Sequence, residues 1–246
     1  MLNIYRHKEM KINKDNLDNL FIYPPIFQGL SVKGFFTTRA LNGDLANLSL
    51  LTGLPITSFY HPIQKHTDRI LVLADSMDRK VADAVLTSRK DVMVGVDVAD
   101  CLPILLHDRR LNVIGAVHAG WRGTASMILR KTISKMVEVF KSSPHDVLIA
   151  MGPAIRGCCY EVGGEVIEAV EKATGSGNYY ERRAEKFLLD LPSANVYQAI
   201  SVGIPTSNIW ISKLCTFCHP DKFFSYRYAK GKTGRQSGYI GALECK

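Results

Sequence analysis

Three apolar runs follow one another within residues 92–118, which read VMVGVDVADCLPILLHDRRLNVIGAVH. Short runs rich in valine, isoleucine and leucine predict strands at Val92–Val98, Ile104–His107 and Val113–His118. The segments between these strands are too short to hold a helix, so we expect a mixed sheet in which neighbouring strands also pair antiparallel. Strand pairs of this kind favour an α+β fold.

Working outward, the same criteria predict the other elements of the chain. Strands are expected at Val32–Thr38, Ile70–Leu73, Ala84–Thr87, Val147–Met151, Ile209–Ser212 and Phe223–Tyr226. Helices are expected at Thr124–Phe140, with Thr124 as the N-cap, and at Glu165–Thr174 and Ser193–Val202. No internal repeat or linker interrupts the chain, which predicts a single domain.

The composition indicates a globular protein that folds without disulfide bonds. The chain has 246 residues, of which 46% are hydrophobic and 22% are charged, close to the average of globular domains. No apolar run approaches the roughly 18 residues that span a bilayer, and the first twenty residues lack the apolar core of a signal peptide. We therefore expect a cytoplasmic location, in which the six cysteines stay reduced.

Basic residues are concentrated near the end of the chain. The net charge is +8, and residues 213–246 hold seven basic and two acidic residues, for a net charge of +5. Such a segment attracts phosphate or a nucleotide, although a solvated surface has the same composition. No nucleic-acid-binding motif accompanies it, so neither nucleic acid nor a membrane is an expected partner.

Two segments place polar groups where apolar ones would be expected. The sequence Ala99-Asp100-Cys101-Leu102-Pro103 interrupts an apolar stretch with a carboxylate and a thiol. Polar groups in a buried stretch cost free energy unless they have partners, so their presence suggests a function. The sequence His118-Ala119-Gly120-Trp121-Arg122-Gly123 follows a predicted strand and precedes a predicted helix. Arg122 there fits either an anion-binding guanidinium or an arginine that stacks on Trp121.

One cysteine and two histidines allow two kinds of chemistry. His66, Cys101 and His118 are separated by 35 and 17 residues, which matches no local metal motif. Together they fit a metal ion with three protein ligands and an open position. A Cys–His pair in which the imidazole activates the thiolate fits equally well. The residues alone leave both alternatives open.

A second group of cysteines has a pattern without a clear chemical role. Cys215-Thr216-Phe217-Cys218-His219 matches the covalent haem pattern, which we reject because no export signal is expected. A single C-x-x-C lacks the second pair that a four-cysteine zinc site requires. The adjacent Cys158 and Cys159 are expected to be structural. Tyr226 and Arg227 fit either a pocket wall or a packed tyrosine beside a surface arginine.

From about residue 30 onward the chain resembles the purine nucleoside phosphorylase/laccase-domain family, also called the YfiH type and formerly the multicopper polyphenol oxidase family. The most specific match is the combination of an Ala-Asp-Cys segment with His-Ala-Gly-Trp-Arg-Gly. The shared segments are GFFTTR (34–39), QKH (64–66), DAVLT (83–87), ADCLP (99–103), HAGWRG (118–123), GPAI (152–155), CT (215–216), FSYR (224–227) and GRQ (234–236).

The resemblance implies a single domain over residues 1–246, with a variable segment at about 1–30. The implied fold is a layered α/β/β/α arrangement of mixed sheets. The family's chemistry implies a zinc site formed by His66, Cys101 and His118, with copper less favoured. It also implies phosphorolysis of adenosine, inosine and methylthioadenosine with phosphate as co-substrate, and adenosine deamination as a second activity.

The resemblance also suggests roles for individual side chains. Asp100, Cys101 and His118 are the candidate catalytic residues, and burial of Asp100 would allow it to protonate or hydrogen-bond the departing purine. The candidate ligands of phosphate are Arg39, Arg122 and Arg235.

Residues 40–50 depart from the family pattern. Ala40–Asp44 replaces a Gly-Gly-Val-Ser loop, and Ser49 and Thr67 stand where asparagine and glycine are usual. The helix that normally precedes Gly53 is therefore expected to be largely absent, which changes the substrate contacts expected from this segment.

Three other functions compete with phosphorolysis. A thiol hydrolase or amidase would use Cys101 and His118, with peptidoglycan precursors as one substrate class. A nucleotide-binding protein without activity would use the basic segment at residues 213–246. Polyphenol oxidation by copper is less favoured, because three ligands do not build a multicopper cluster.

Overall fold

The structure is a computed structural model that describes residues 19–41 and 43–242. Its strands are β1 (Phe21–Ile22), β2 (Lys33–Thr37), β3 (Phe59–Tyr60), β4 (Ile70–Val72), β5 (Ala84–Thr87), β6 (Met93–Val98), β7 (Leu102–Asp108), β8 (Val113–Ala119), β9 (Val147–Met151), β10 (Glu161–Val162), β11 (Tyr180–Arg183), β12 (Lys186–Leu189), β13 (Ile209–Ile211) and β14 (Gln236–Gly241). The α-helices are α1 (Leu45–Thr52), α2 (Trp121–Ala125), α3 (Ile128–Lys135), α4 (Gly164–Thr174) and α5 (Leu191–Ile200).

Two large sheets and a small one organise the described residues. The six-stranded sheet has the order β13-β9-β7-β8-β5-β4 and the five-stranded sheet the order β1-β2-β14-β6-β3, while β10-β12-β11 form a three-stranded sheet. β9, β7, β8 and β5 pair antiparallel, whereas β13 with β9 and β4 with β5 pair parallel. In the five-stranded sheet β3 pairs parallel with β6. The expected mixed pairing is thus confirmed.

The two large sheets pack face to face, with helices on their outer faces. Leu105 and Ala150 of the six-stranded sheet share a buried cluster with Phe36 and Val94 of the five-stranded sheet. The opposite face of the six-stranded sheet packs on α3, α4 and α5, and α1 covers the five-stranded sheet. This confirms the α/β/β/α layering. Strands buried on both faces read as continuous apolar runs, which explains the pattern of residues 92–118.

The chain changes sheets within the Ala-Asp-Cys segment. β6 belongs to the five-stranded sheet and β7 to the six-stranded sheet, so residues 99–101 connect the two layers. Asp100 has a backbone φ of 86° there, a conformation that non-glycine residues adopt rarely and often at functional sites. The polar residues that interrupt the apolar stretch therefore lie in a tight connection at the end of both sheets.

The C-terminal strand differs from the prediction. The prediction of a strand at Phe223–Tyr226 is wrong, because this segment is irregular and leads into a turn at Tyr226. Its backbone pairs with a side chain instead: the amide of Phe224 donates to Gln236 Oε1 (2.8 Å), and Gln236 Nε2 donates to the Phe224 carbonyl (3.1 Å). The observed strand is β14, whose two glycines hide its pattern. Gly238 is needed there because a Cβ would lie 2.9 Å from the Phe36 ring.

The helix predicted at Thr124–Phe140 is interrupted. α2 begins at Trp121 after the N-cap Gly120, and Thr124 lies inside it, where its Oγ1 accepts a hydrogen bond from Asn195 Nδ2 (3.0 Å). Met127 then adopts a left-handed φ of 59°, which separates α2 from α3. A π-helical turn at Met136–Phe140 ends the region. The helical periodicity therefore predicted one continuous helix and did not reveal the break at Met127.

The helix expected to be missing before Gly53 is present, which corrects that prediction. Asp44 caps α1 by accepting hydrogen bonds from the amides of Ala46 (2.8 Å) and Asn47 (3.3 Å). Gly53 ends the helix with a φ of 73°. Leu48 of α1 is buried against the five-stranded sheet, so packing stabilises the helix despite its altered sequence.

The N-terminal segment predicted as variable lies partly outside the described residues, which begin at Asn19. β1 pairs antiparallel with β2, and Phe27 belongs to the core between the large sheets. Residues from about 21 onward therefore form part of the layered fold. In the described parts of the chain, no helix has the length and apolar character needed to cross a membrane.

Candidate active site

Three segments of the chain meet beyond the ends of the central strands of the six-stranded sheet. Cys101 directly precedes β7, and His118 lies near the end of β8. The register of this antiparallel pair sets Leu102 opposite Ala119 and Pro103 opposite His118. His66 lies in the loop before β4, with a left-handed φ of 57°. The topology thus brings together residues that are far apart in the sequence.

His66, Cys101 and His118 form one compact group. One potential ligand atom from each lies within 4.8 Å of the others. Cys101 Sγ is 3.9 Å from His66 Nε2, and the two imidazole rings meet edge to face with centroids 4.8 Å apart. The three residues proposed from the sequence are therefore neighbours in space.

A buried carboxylate that the sequence did not single out as functional holds this group in place. Asp83 Oδ1 is 2.8 Å from His118 Nδ1 and accepts the amide hydrogen of His66 (3.0 Å). Its Oδ2 accepts from the amide of Thr67 (2.7 Å), the Thr67 hydroxyl (2.8 Å) and the amide of Lys65 (3.2 Å). Asp83 thus fixes both the ring of His118 and the loop that carries His66.

Electrostatics within the group favour a charged pair. Burial disfavours the thiolate, but hydrogen bonds from His118 and His66 outweigh it and lower the pKa of Cys101 to about 6. Burial likewise disfavours the imidazolium, but the hydrogen bonds with Asp83 and Cys101 raise the pKa of His118 to about 9. Burial also opposes the charged form of Asp83, yet its hydrogen bonds keep its pKa well below the usual range.

The donor set fits a zinc ion. Two imidazoles and a thiolate are ligands that zinc accepts, and three protein ligands leave one position open for substrate. The Asp83–His118 contact is the outer carboxylate–histidine interaction that orients metal-bound histidines. Gly120 provides room, since a Cβ there would lie 2.8 Å from Cys101 Sγ. The residues present are therefore suited to a metal ion.

A cavity of about 740 Å³ opens beside the group. Its cationic lining consists of Arg79, Arg122, Arg227 and Arg235. The Arg122 guanidinium lies 4.3 Å from the centroid of the Trp121 ring. Arg122 therefore stacks on Trp121 and lines the cavity at the same time, which combines the two alternatives considered from the sequence. The lining of this cavity combines potential metal ligands with positive charge.

Arg227 and Tyr160 form a second part of the wall. The Arg227 guanidinium lies 5.3 Å from the Tyr160 ring centroid and donates to the Glu161 carbonyl (2.9 Å). Burial, reinforced by the nearby Cys101 charge, raises the pKa of Tyr160 to about 12, so its hydroxyl stays a donor at neutral pH. Tyr226 also lines the cavity. The sequence left Tyr226 and Arg227 undecided and gave no signal for Tyr160.

Asp100 lies in the cavity wall as a hydrogen-bond acceptor. Its Oδ1 accepts from the Thr216 hydroxyl (2.6 Å), and its Oδ2 accepts from the amide of Arg227 (2.7 Å). With a donor directed at each oxygen, the carboxylate is oriented to accept further hydrogen bonds. These two contacts hold the Asp100 side chain in one orientation in the cavity wall.

Arg39 takes a different position from the other candidate phosphate ligands. Arg122 and Arg235 line the cavity, whereas the Arg39 guanidinium donates to the Pro220 carbonyl and lies 5.0 Å from the Phe224 ring centroid. Arg39 thus contacts the turn at residues 220–224, outside the cavity wall. Its position gives it a structural contact that the GFFTTR segment alone did not reveal.

The isolated C-x-x-C of the sequence has a partner in space. Cys158, Cys159, Cys215 and Cys218 place their sulfur atoms within 4.8 Å of one another. The expectation that no second cysteine pair completes a four-cysteine group is therefore wrong. A parallel bridge between Ala154 and Cys215 joins the two segments, a long-range contact that local spacing does not predict.

The four-layer α+β fold carries a His–Cys–His group with the donor set for a metal ion, beside a cationic cavity. A family model described as multi-copper polyphenol oxidoreductase laccase matches residues 39–243, and the chain belongs to this family. The resemblance drawn from the sequence motifs is thus confirmed.

Named relatives and solved structures agree with this assignment. A protein named purine nucleoside phosphorylase from Clostridium acetobutylicum is 39% identical over 179 residues, 72% of this chain and 74% of that protein. One named adenosine deaminase RL5, from an unknown prokaryotic organism, is 32% identical over 80% of this chain and 79% of that protein. The crystal structure of YlmD from Geobacillus stearothermophilus superposes with a TM-score of 0.85 at 25% identity, covering 92% of this chain and 97% of that one.

Proposed function

We propose that this protein is a zinc-dependent purine nucleoside phosphorylase that converts adenosine, inosine and methylthioadenosine to free base and a ribose 1-phosphate. The observation that supports it most is the cavity of about 740 Å³ in which His66, Cys101 and His118 face several arginines. The relatives named purine nucleoside phosphorylase support the same reaction.

The arginines supply the binding site for phosphate. Guanidinium groups bind phosphate oxygens in pairs and remain charged at any physiological pH. Stacking on Trp121 holds Arg122, and the contacts with Tyr160 and Glu161 hold Arg227, so neither side chain must be ordered when phosphate arrives. The net charge of +8 favours the approach of an anion. We assign Arg122, Arg227 and Arg235 to phosphate.

The nucleoside fits the remaining wall. Tyr160, Tyr226 and Trp121 offer aromatic surface to a purine ring, and Asp100 offers oriented carboxylate oxygens to its N–H groups or to ribose hydroxyls. The contacts with Thr216 and with the backbone of Arg227 hold the Asp100 carboxylate in place. It can therefore bind a correctly positioned nucleoside without a change in its own conformation. Asp100 therefore acts by hydrogen bonding in this proposal.

In the reaction a phosphate oxygen bonds to ribose C1′ while the bond from C1′ to the purine nitrogen breaks. The electron pair of that bond leaves with the purine, and the proton carried by hydrogen phosphate ends on the base. Positive charge develops on the ribose in the transition state, so an anion held beside C1′ stabilises it. His66, Cys101 and His118 would hold a zinc ion that supplies Lewis acidity and substrate orientation.

Adenosine deamination is the second activity we propose for this site, and the relative named adenosine deaminase supports it. In that reaction water replaces the amino group of adenine and ammonia leaves, so phosphate is not consumed. A cytoplasmic location belongs to the same proposal, because the thiol of Cys101 must remain reduced to serve as a ligand.

The test measures phosphate dependence and metal content together. Purified protein is incubated with adenosine, inosine or methylthioadenosine, with and without phosphate, and the free base is quantified together with ribose 1-phosphate or, for methylthioadenosine, 5-methylthioribose 1-phosphate. We expect release of base to require phosphate, and Cys101→Ala to lose both the activity and a zinc ion while unfolding at a similar temperature. Retention of both by the folded variant would overturn the proposal, as would base release that is independent of phosphate.

A thiol hydrolase or amidase is the second candidate function, because Cys101, His118 and Asp83 form a nucleophile–base–carboxylate series. Peptidoglycan precursors are the substrate class considered for it. Activity that survives chelation but is abolished by iodoacetamide would favour this function over phosphorolysis.

Copper-dependent polyphenol oxidation, which the family description names, is less favoured by the ligands. Among residues 19–41 and 43–242, the groups of three or more clustered potential metal ligands are the His–Cys–His group and the four-cysteine group. Neither combines the several histidines that a multicopper cluster needs. Oxygen consumption with a phenol and copper tests this alternative directly.

A further inference from the structure

The four cysteines outside the cavity form a cluster from two distant turns. Cys158 and Cys159 lie in the turn after β9, and Cys215 and Cys218 lie in the turn after β13. We propose that these four thiolates bind one zinc ion, in a structural site separate from the His–Cys–His group. This second site is inferred without reference to the proposed phosphorylase reaction.

The sulfur positions match a single tetrahedral ion. Cys159 Sγ lies 3.4 Å from Cys158 Sγ and 3.2 Å from Cys218 Sγ, and the Cys158–Cys218 separation is 3.7 Å. Four sulfurs at about 2.3 Å from a zinc ion stand roughly 3.8 Å apart. The observed separations lie near that value, and all four thiols are unbonded to one another.

The donor set selects a soft metal and leaves no open position. Four thiolates around one ion are typical of structural zinc sites, whereas catalytic zinc sites have three protein ligands. Mutual distances within 4.8 Å leave room for one ion; a cluster of several irons and sulfides would hold the sulfurs farther apart. On binding, the four thiols release their protons to solvent as the sulfur–zinc bonds form.

Hydrogen bonds hold the turns that carry the cluster. In the two cysteine turns the Cys159 amide donates to the Arg156 carbonyl (2.9 Å), and the His219 amide donates to the Cys215 carbonyl (3.2 Å). Arg156 is itself held by Asp190, with Nε–Oδ1 at 2.6 Å, and by the Ser212 carbonyl at 2.8 Å. Asp190 also accepts from the amide of Gly157 (3.1 Å). The turn that presents Cys158 and Cys159 is therefore anchored before any metal binds.

Burial of the ligands is graded, which gives the metal a route into the site. Cys215 is buried, Cys159 is half-buried, and Cys158 and Cys218 are exposed. A metal ion thus reaches the cluster from solvent through the two exposed thiols. The same exposure makes the site accessible to thiol reagents and to chelators.

The ion would join two turns that contribute to the cavity. The turns are linked by the Ala154–Cys215 bridge, in which the amide of Thr216 donates to the Ala154 carbonyl (3.1 Å). The first turn leads to Tyr160 in the cavity wall, and the second carries Thr216, whose hydroxyl holds Asp100. Zinc at the cluster would therefore fix the positions of Tyr160 and Asp100 without contacting substrate.

Elemental analysis of matched variants separates the two sites. The protein is purified without chelator or metal-affinity chromatography, and zinc per chain is measured for the parent, Cys101→Ala, Cys159→Ser and Cys218→Ser. We expect about two zinc ions in the parent and about one in each variant. Cys101→Ala empties the cavity site alone, so failure of the phosphorylase proposal leaves the expected loss in Cys159→Ser and Cys218→Ser unaffected.

A spectroscopic measurement covers the case in which the serine variants do not fold. Cobalt is exchanged into Cys101→Ala, whose four-cysteine cluster is intact, and we expect the intense near-ultraviolet absorption of thiolate bound to tetrahedral cobalt. Treatment with a thiol reagent should abolish the absorption and lower the Tm. The proposal is overturned if Cys101→Ala contains no zinc, if cobalt gives no thiolate absorption, or if iron is found in place of zinc.

Discussion

Asp83 shows how a single buried side chain organises the candidate active site. Its two oxygens together accept three backbone amides and the Thr67 hydroxyl, and they contact His118 Nδ1. The carboxylate is fully buried, so its charge is stabilised entirely by these donors. Without Asp83, the loop at residues 65–67 and the ring of His118 would both lose the hydrogen-bonding partner that fixes their positions.

Replacement of Asp83 by asparagine should weaken metal binding. The amide retains an acceptor but places a donor against the amides of Lys65 and Thr67, so the loop and the His118 ring shift. Loss of such an outer partner typically reduces metal affinity about 10- to 100-fold. Competition with a chelator of known affinity measures the effect. The control is Asp68→Asn, because Asp68 forms an ion pair with Lys131 at the surface rather than with His118. Equal affinity of Asp83→Asn and the parent protein would refute the role assigned to Asp83.

Arg122 and Arg39 differ in position and should differ in effect. Removing Arg122 takes a guanidinium from the cavity wall, and hydrogen bonds to charged groups contribute about 1.5–3 kcal/mol. We therefore expect Arg122→Ala to raise the KM for phosphate about 10- to 100-fold. Arg39→Ala should leave that KM within about twofold, because its guanidinium contacts Pro220 and Phe224 instead. A similar KM increase in both variants would contradict the assignment.

At the scale of elements, the carboxylate of Asp190 caps α5 and also holds the turn after β9. Asp190 caps α5 by accepting from the amide (3.2 Å) and hydroxyl (2.6 Å) of Ser193. The same side chain pairs with Arg156 and Gly157 in the turn after β9. Burial disfavours its charge, but Arg156 and Ser193 outweigh burial and lower the pKa of Asp190.

Asp190→Asn should destabilise the protein in a pH-dependent way. At neutral pH we expect a loss of about 2 kcal/mol in the free energy of unfolding, since a charged hydrogen-bond network is broken. Because the folded-state pKa is depressed, the stabilisation is fully present above the unfolded value of about 3.9 and is lost as the pH falls through the folded value. Urea unfolding of both proteins from neutral to acidic pH measures the difference. A difference that stays constant across this range would show that the charge of Asp190 contributes nothing.

Elements with strong local patterns could be predicted, and those shaped by tertiary contacts could not. β5 and β9 match their predicted bounds because they are short apolar runs. β14 escaped prediction because close packing of Phe36 requires Gly238 in mid-strand. Helical periodicity continues across Met127, so it does not reveal that this residue adopts a left-handed backbone conformation and separates α2 from α3.

For the whole molecule, the layering explains why distant residues converge. The crossing from β6 to β7 brings Cys101 to the edge where β8 ends, and His66 arrives from the loop before β4. Sequence reasoning located these residues through their unusual polarity and the family motifs. It missed the four-cysteine cluster, because the pairing of Ala154 with Cys215 is a contact between segments about 60 residues apart.

The central claim is that His66, Cys101 and His118 together bind one zinc ion at the arginine-lined cavity. Anomalous diffraction from crystals of active protein, recorded above and below the zinc edge, tests it most directly. We predict a peak bounded by these three side chains that appears only above the edge. An anomalous map of the active protein with no peak between them would contradict the claim.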